Sequence, residues 1–387
     1  MTTTYGIRVI HKNRQEDLET LRQAVAQEVS KLGLHRSVAV RVTESGPPGS
    51  TPYVCVYLGD ESTCVDPSIV IELAQELAAG TTVFPVVPDL TLFSTLVPAE
   101  ISFANGIVWR DETSLRHLVR VLLEDLGIED RQRRVFISHR RDDGLGAAEQ
   151  LHDKLTHSGF RPFIDRFAIR EGADFQAEIA DALEDHAFLL LLETPLAHTS
   201  DWVYDEVDYA LSHTMGVLIA RWPGDVQEVP GSPGVPRLPI GQDELQIDEH
   251  GFEIFTTSGL DRLVEEIEAA HAFGLVRRRR MLVRSIEESA LASGVDSCIA
   301  LRDWRLLIET PKGKRIVGTT PRLPTAADLQ NVDEASADAG ADLPGLLVHS
   351  ARLLSTPLKK HLEWVSGSRQ LSMIPENAIG GWWSHAN

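Results

Sequence analysis

The stretch SDWVYDEVDYAL holds the side chains best placed to do chemistry, an indole ring and a carboxylate four positions apart. If this stretch is a helix, Trp202 and Glu206 lie on one face, because residues i and i+4 are neighbours on a helix surface. The pair then offers a flat aromatic surface beside a negative charge. Such a surface suits a ligand that carries both a ring and a sugar.

A second polar group follows an apolar run upstream. The run VFIS is typical of a short strand, and the polar cluster HRRDDG comes directly after it, so Ser138 and Arg140 stand at the end of that strand. The loop that begins at Asp165 follows the strand-like run RPFI in the same way. In open α/β sheets, ligands bind at the carboxyl ends of the strands. Both loops are therefore candidates for a site.

The elements that would position these residues alternate along the chain. Apolar strands (VFISH, RPFID, AFLLLLE, GVLIARW) are separated by helical patterns at 147–158, near 174–184 and around Trp202, and SGLDRLVEEIEAAHAF predicts a closing helix. This order predicts βαβ units and a parallel sheet with helices on both faces. The Pro- and Gly-rich residues between 222 and 251 predict an irregular excursion.

The first 130 residues repeat this α/β rhythm. YVCVYLGDESTCVDPSIVIELAQEL can be laid over AFLLLLETPLAHTSDWVYDEVDYAL so that Glu72 falls on Glu206 and Ser68 falls on Trp202. We interpret residues 1–130 as a diverged copy of residues 131–275. This copy lacks the aromatic surface, and we expect it to lack any activity that depends on that surface. The alternative is a coincidental likeness between two α/β units.

The pattern changes after residue 273. VRRRRMLVRSIEESALASG predicts a helix with its basic run 277–280 as a solvated face, and several strand-like runs follow. These features predict a small α/β or α+β domain over 276–387. The two tryptophans of the C-terminal GGWW sequence are expected to dock rather than remain exposed.

Composition limits the function. A formal net charge of −20 argues against a general nucleic-acid binder, because phosphate neutralisation needs clustered basic residues. The three cysteines form no CxxC pair or Cys/His cluster, so neither a disulfide framework nor a metal site is predicted. The first 20 residues lack an apolar signal region and no run is long enough for a membrane span, so we expect a cytoplasmic protein.

Residues 131–275 resemble a Toll/interleukin-1 receptor (TIR) domain of the bacterial kind. The resemblance rests on VFISHRRDDG, GFRPFIDRFAIREGADF, AFLLLLET and SDWVYDE, in this order. It implies a flavodoxin-like parallel sheet, preceded by the diverged TIR-like domain 1–130 and followed by the domain 276–387.

The resemblance also implies cleavage of NAD+ at the bond between nicotinamide and ribose, with NAD+ as substrate and no cofactor. It gives Glu206 the place of the catalytic glutamate and Trp202 that of a stacking surface. It places the remaining substrate-binding candidates around them: Ser138, Arg140, Asp165, Arg166 and Arg170. The expected partners are further copies of the chain, assembled through the TIR domain, and an activating ligand or protein, in a bacterial antiphage response.

Each assignment has an alternative. Glu206 could be a solvated helix residue, Trp202 could pack against the sheet, and Ser138 could cap the strand end. Arg140 could belong to a surface ion-pair cluster. The whole protein could be a non-enzymatic scaffold that signals by self-association.

Overall fold

The computed structural model describes residues 3–32, 34, 38–47, 51, 53–79, 81–126, 128, 133–164, 183, 186–295, 297–301, 304–310, 312–350, 354, 356–367 and 371–386. The chain divides into two compact units. The first comprises residues 1–129, 297–308 and 337–340, and the second comprises 130–296, 309–336 and 341–387. The domain boundaries expected near residues 130 and 275 remain a prediction.

The strands and helices alternate over most of the described chain. The strands are β1 (Thr3–Ile10), β2 (Val38–Thr43), β3 (Tyr53–Leu58), β4 (Val83–Val87), β5 (Ile107–Val108), β6 (Arg134–Ser138), β7 (Arg161–Phe163), β8 (Phe188–Glu193), β9 (Gly216–Arg221), β10 (Arg237–Pro239), β11 (Leu245–Ile247), β12 (Glu253–Phe255), β13 (Ser297–Ala300), β14 (Leu306–Thr310), β15 (Gly313–Thr320), β16 (Leu346–His349) and β17 (Ser372–Pro375). The α-helices are α1 (Gln15–Lys31), α2 (Pro67–Ala78), α3 (Phe93–Leu96), α4 (Glu112–Asp125), α5 (Arg141–His157), α6 (Asp201–Ser212), α7 (Thr257–Ala292), α8 (Ala326–Asp338), α9 (Thr356–Gly367) and α10 (Ile379–Ala386).

Two sheets share one topology. The first unit contains a parallel sheet in the order β2-β1-β3-β4-β5. The second contains a parallel sheet that reads β7-β6-β8-β9-β10 from one edge to the other. Within each sheet this is the order 2-1-3-4-5 of flavodoxin-like folds. The predicted α/β class with parallel sheets is therefore confirmed.

The middle strand β8 determines how the second sheet is covered. All six of its residues are buried, so both faces of the sheet must be shielded from water. Leu190 and Leu192 pack on one face with α5 and α7, and Leu189 and Leu191 pack on the other face with α6. This alternation fixes which face of the sheet each polar residue at a strand end lies on.

Two local expectations differ from the structure. Helix α5 begins at Arg141 rather than near residue 147, since Asp142 and Asp143 in its first turn interact favourably with the positive end of the helix dipole. The segment expected to be irregular between 222 and 251 contains β10, which pairs with β9, and β11, which pairs antiparallel with β12.

Helix α7 is one continuous helix of 36 residues where the sequence pattern predicts two. It crosses β9 closely, because a Cβ atom added at Gly274 would lie 3.0 Å from the Gly216 Cα. Within the run expected to be a solvated face, Arg278 is buried. It donates to the Glu376 carboxylate at 2.5 Å and to the Ser350 hydroxyl at 2.9 Å. The solvated-face prediction is wrong for Arg278, since a charge whose partners are distant in sequence gives no local signal.

Near the C-terminus of the second unit, β15, β16 and β17 are adjacent and parallel. Helix α10 packs on α7 and carries the two tryptophans of the GGWW sequence. Trp383 is fully buried, and the Arg315 guanidinium lies 4.8 Å from the centre of the Trp382 ring. The predicted docking of these tryptophans is confirmed.

None of the helices in the described ranges has the length and apolar character needed to cross a membrane.

We predict that Trp383→Ala strongly destabilises the second unit. The Trp383 ring is 0% exposed, and emptying such a site costs about 3–5 kcal/mol. The matched control is Trp364→Ala, because Trp364 on α9 is 76% exposed and its loss should change stability by less than about 0.5 kcal/mol. Urea unfolding followed by circular dichroism checks both variants. Equal unfolding midpoints would contradict the burial of Trp383.

Candidate functional site

The site lies at the carboxyl edge of the second sheet, on the face that α6 covers. Ser138 ends β6, Glu193 ends β8 and Arg221 ends β9. The residues two positions before them are Phe136, Leu191 and Ile219, respectively. All three pack in the core cluster with α6. Because side chains two apart on a strand share a face, all three polar groups lie on the α6 side of the sheet.

Helix α6 brings the pair Trp202 and Glu206 to this edge. The Ser200 side chain caps its first turn by accepting from the Val203 N–H at 3.4 Å. Since α6 returns the chain from β8 to the parallel strand β9, it runs against the strands and its first turns lie at the carboxyl edge.

The two members of the pair differ in burial. Val203, Val207 and Ala210 face the sheet, and Glu206 lies among them at 7% exposure. The Trp202 ring is 42% exposed. The arrangement is a shielded carboxylate one helical turn below an accessible aromatic surface. The alternative that Glu206 is a solvated helix residue does not agree with its burial.

Ser138 is the second residue that the sequence pointed to. It is 1% exposed, and among the described residues its hydroxyl has no hydrogen-bond partner. A strand-end cap would require such a bond, so the capping alternative is not supported. A buried hydroxyl without a partner is uncommon in folded proteins, and one at a strand end can bond to a ligand.

Arg140 bonds to neighbouring groups of the protein. Its Nε and Nη2 donate to Asp142 at 3.0 and 2.7 Å, and its Nη1 donates to the Leu196 carbonyl at 3.2 Å. Asp143 also contacts the loop after β8, where it accepts hydrogen bonds from the Thr194 hydroxyl at 2.9 Å and from the Leu196 N–H at 2.8 Å. These bonds tie the loop after β6 and the first turn of α5 to the loop after β8.

The remaining predicted substrate-binding residues, Asp165, Arg166 and Arg170, lie outside the described residues, as does the helix expected near 174–184 except for residue 183. In the part of the chain that the structure describes, no group of three or more His, Cys, Asp or Glu side chains could hold a metal ion.

Glu193 is a site-edge residue that the sequence reading missed. Its carboxylate is fully buried and accepts from the Val229 N–H at 3.0 Å and from Arg237 Nε and Nη2 at 3.1 and 3.2 Å. Arg221 and Arg237 also contact Glu228, at 3.5 and 3.3 Å. The sequence contained one sign of this residue, because Glu193 is the single charge at the end of the apolar run FLLLLE.

The first unit has a counterpart of α6. The overlay that places Glu72 on Glu206 also places the first and last residues of α2 on those of α6, and each helix has 12 residues. In α2, however, Glu72 forms an ion pair of 2.7 Å with Arg8 of β1. Ser68 bonds to the helix-capping Asp66 at 2.6 Å.

A cation therefore stands under the helix in the first unit. Arg8 pairs in register with Cys55 of β3, and the matching position in the second sheet is Phe136, which pairs with Leu189 of β8. Arg8 also donates a hydrogen bond to Glu76. In the overlay of the two units, Glu76 corresponds to the apolar Ala210 of α6. Desolvation by burial is the largest influence on the Glu76 carboxyl, and the bonds from Arg8 and the Tyr53 hydroxyl outweigh it, so the pKa of Glu76 lies below its usual value. Glu72 and Glu76 of α2 are therefore both paired with Arg8.

Comparison with known proteins adds three findings. No curated protein matches the chain. Among solved structures, the chain is similar to the TIR domains in the structure of the activated Roq1 resistosome directly recognizing the pathogen effector XopQ. The identity is 20%, the match covers 24% of this chain and 60% of that chain, and the TM-score is 0.23. A family model described as TIR domain matches residues 135–252, and the chain therefore contains a TIR domain at these residues.

Proposed function

We propose that the TIR domain cleaves NAD+ at the nicotinamide–ribose bond, with Glu206 as the catalytic carboxylate. One observation carries the proposal. Helix α6 holds Glu206 shielded from water and Trp202 exposed, one turn apart, at the carboxyl edge of a parallel sheet. The substrate has the two parts that this pair can bind, a ribose beside a ring.

The chemistry needs only one carboxylate. When the bond between ribose C1′ and the nicotinamide nitrogen breaks, nicotinamide leaves as a neutral molecule with the bonding electron pair, so no strong general acid is required. Positive charge develops on the ribose, and the Glu206 carboxylate stabilises it or holds the sugar hydroxyls that orient it. Water then adds to C1′ and releases a proton, which gives ADP-ribose. If a nitrogen of the adenine adds instead, with loss of a proton, the product is a cyclic ADP-ribose.

Burial strengthens this effect. A carboxylate shielded from water attracts a developing cation more strongly than one in bulk solvent, because water no longer screens the interaction. The accessible Trp202 face provides a surface for one of the two rings of NAD+. The buried Ser138 hydroxyl supplies a further polar contact at the same edge.

The proposal assigns catalysis to the TIR domain alone. Its N-terminal counterpart has Ser68 in place of the tryptophan, and its Glu72 is paired with Arg8. A carboxylate held by an arginine is less able to stabilise a second cation. Residues 1–130 therefore fit a non-catalytic role.

The first prediction concerns Glu206→Gln. Loss of the negative charge should reduce nicotinamide release by at least about a hundredfold, because the developing ribosyl cation loses its counter-charge. The measurement is nicotinamide formed from NAD+ by the purified protein at high concentration, with chromatography to separate ADP-ribose from cyclic products. The matched control is Asp208→Asn, an exposed carboxylate on the same helix, which should retain activity. Equal activity of Glu206→Gln and wild type would refute the assignment, and no release by the wild type would favour the scaffold.

Trp202 should act mainly through substrate binding. Trp202→Ala removes the stacking surface, which is worth about 1–3 kcal/mol for a base on an aromatic ring, so KM should rise about tenfold. Trp202→Phe keeps a ring and should lose much less. Steady-state kinetics on the three proteins test this, and an unchanged KM in Trp202→Ala would show that the ring packs without binding NAD+.

We further propose, from the resemblance of residues 131–275, a cytoplasmic effector of bacterial antiphage defence that becomes active on self-association. An NAD+-consuming enzyme without control would harm its own cell. Specific activity should therefore rise with protein concentration, by about tenfold between monomer and oligomer if coupling is of the usual size. Nicotinamide release along a dilution series, with light scattering for oligomer size, measures this. Full activity in a monomer would contradict it.

A further inference from the structure

The segment 226–237 lies against the helix that carries the proposed catalytic pair. Val229 is buried in the same apolar cluster as Val203 and Val207 of α6, and Val235 packs against that cluster. At Gly231 the backbone runs beside the Tyr204 ring, since a Cβ atom there would lie 3.3 Å from it. The segment thus packs beside α6 near Val203, Tyr204 and Val207, all within three residues of Glu206.

A single buried carboxylate anchors this segment to the sheet. Glu193 accepts from the Val229 N–H near the start of the segment and from two nitrogens of Arg237 at its end. Arg237 in turn donates to the Ser232 hydroxyl at 2.7 Å and to the carbonyls of Ser232 and Val235 at 3.2 and 3.3 Å. Both ends of the segment are therefore fixed to the last residue of the central strand.

The charges in this anchor balance. Glu193 and Glu228 stand opposite Arg221 and Arg237, so the buried carboxylate has compensating charges around it. Buried ion pairs of this kind add little net stability over apolar packing, but losing one partner is costly because it leaves a buried charge uncompensated. In some proteins such a pair instead fixes one conformation.

We propose that Glu193 is a positioning residue for the NAD+ site. Through Arg237 and Val229 it holds the segment 226–237 against α6, and the segment fixes how α6 sits on the sheet and so where the Glu206 carboxylate meets the ribose. Glu193 does not touch the substrate. This inference rests on the proposed function, and it adds the long-range contact on which the catalytic geometry depends.

The kinetic test uses Glu193→Gln, which keeps the shape of the side chain and removes its charge. Because a small displacement of a catalytic group can cost up to about a hundredfold in rate, kcat should fall about ten- to a hundredfold. KM should change less than about threefold, because no contact with the substrate is removed. The matched control is Glu228→Gln, a half-exposed partner of the same two arginines, and it should retain the wild-type kcat.

A double-mutant cycle separates positioning from general instability. If Glu193 and Arg237 act as one anchor, Glu193→Gln with Arg237→Gln should lose no more kcat than the more damaging single variant. Additive losses would overturn the inference, and so would a wild-type kcat in a folded Glu193→Gln protein. Should Glu193→Gln fail to fold, Arg237→Lys keeps the charge and removes only the two-nitrogen contact, and the same drop in kcat at nearly constant KM is expected.

Hydrogen exchange gives a readout that does not depend on activity. In Glu193→Gln, the amides of α6 should exchange at least about tenfold faster than in Glu228→Gln. Unchanged exchange in α6 would overturn the positioning role even if the protein cleaves NAD+. Faster exchange in α6, together with no nicotinamide release by the wild type, would uphold the anchor and refute the proposed function.

Discussion

The candidate site depends on one constraint, that the central strand β8 is buried on both faces and yet ends in a charge. Six buried residues require a layer of helices on each side of the sheet, and this requirement places α6 over the face to which Glu193 belongs. The parallel return from β8 to β9 then sends the first turns of α6 to the carboxyl edge. The position of Trp202 and Glu206 is a consequence of this packing, rather than of any local preference of the helix.

The two flavodoxin-like sheets show how one architecture can carry different side chains at matching positions. They share a strand order and a 12-residue helix after the third strand, with the glutamates in matching positions. They differ in the residue beneath that helix, which is Arg8 in the first unit and the apolar Phe136 in the TIR domain. Because a fold does not by itself imply a function, the proposed activity is assigned from the chemistry of these few positions.

Local patterns in the sequence were sufficient for much of this arrangement. The i, i+4 spacing of Trp202 and Glu206 and the order of strand-like runs predicted the helix, the parallel sheet and the edge where they meet. The partners of buried charges were not predictable, because Glu193 and Arg237 are 44 residues apart and Arg278 and Glu376 are 98 apart. The hydrophobic periodicity of the sequence does not indicate such pairings, since each pairing forms only in the folded protein. The continuity of α7 was also missed, because its two halves each have a helical pattern and were predicted as separate helices, whereas the structure joins them without a break.

The burial of Glu206 has a physical logic in the proposed reaction. Shielding a carboxylate from water is costly, and that cost is offset when a cation comes close. NAD+ provides one, first as the charged pyridinium and then as the ribose during bond breaking. A site that holds its carboxylate in place before the substrate arrives avoids reorganisation at the moment of reaction, which is where preorganised charge is most effective. Such a carboxylate needs a rigid support, and the segment 226–237, anchored at Glu193 and packed against α6, supplies one.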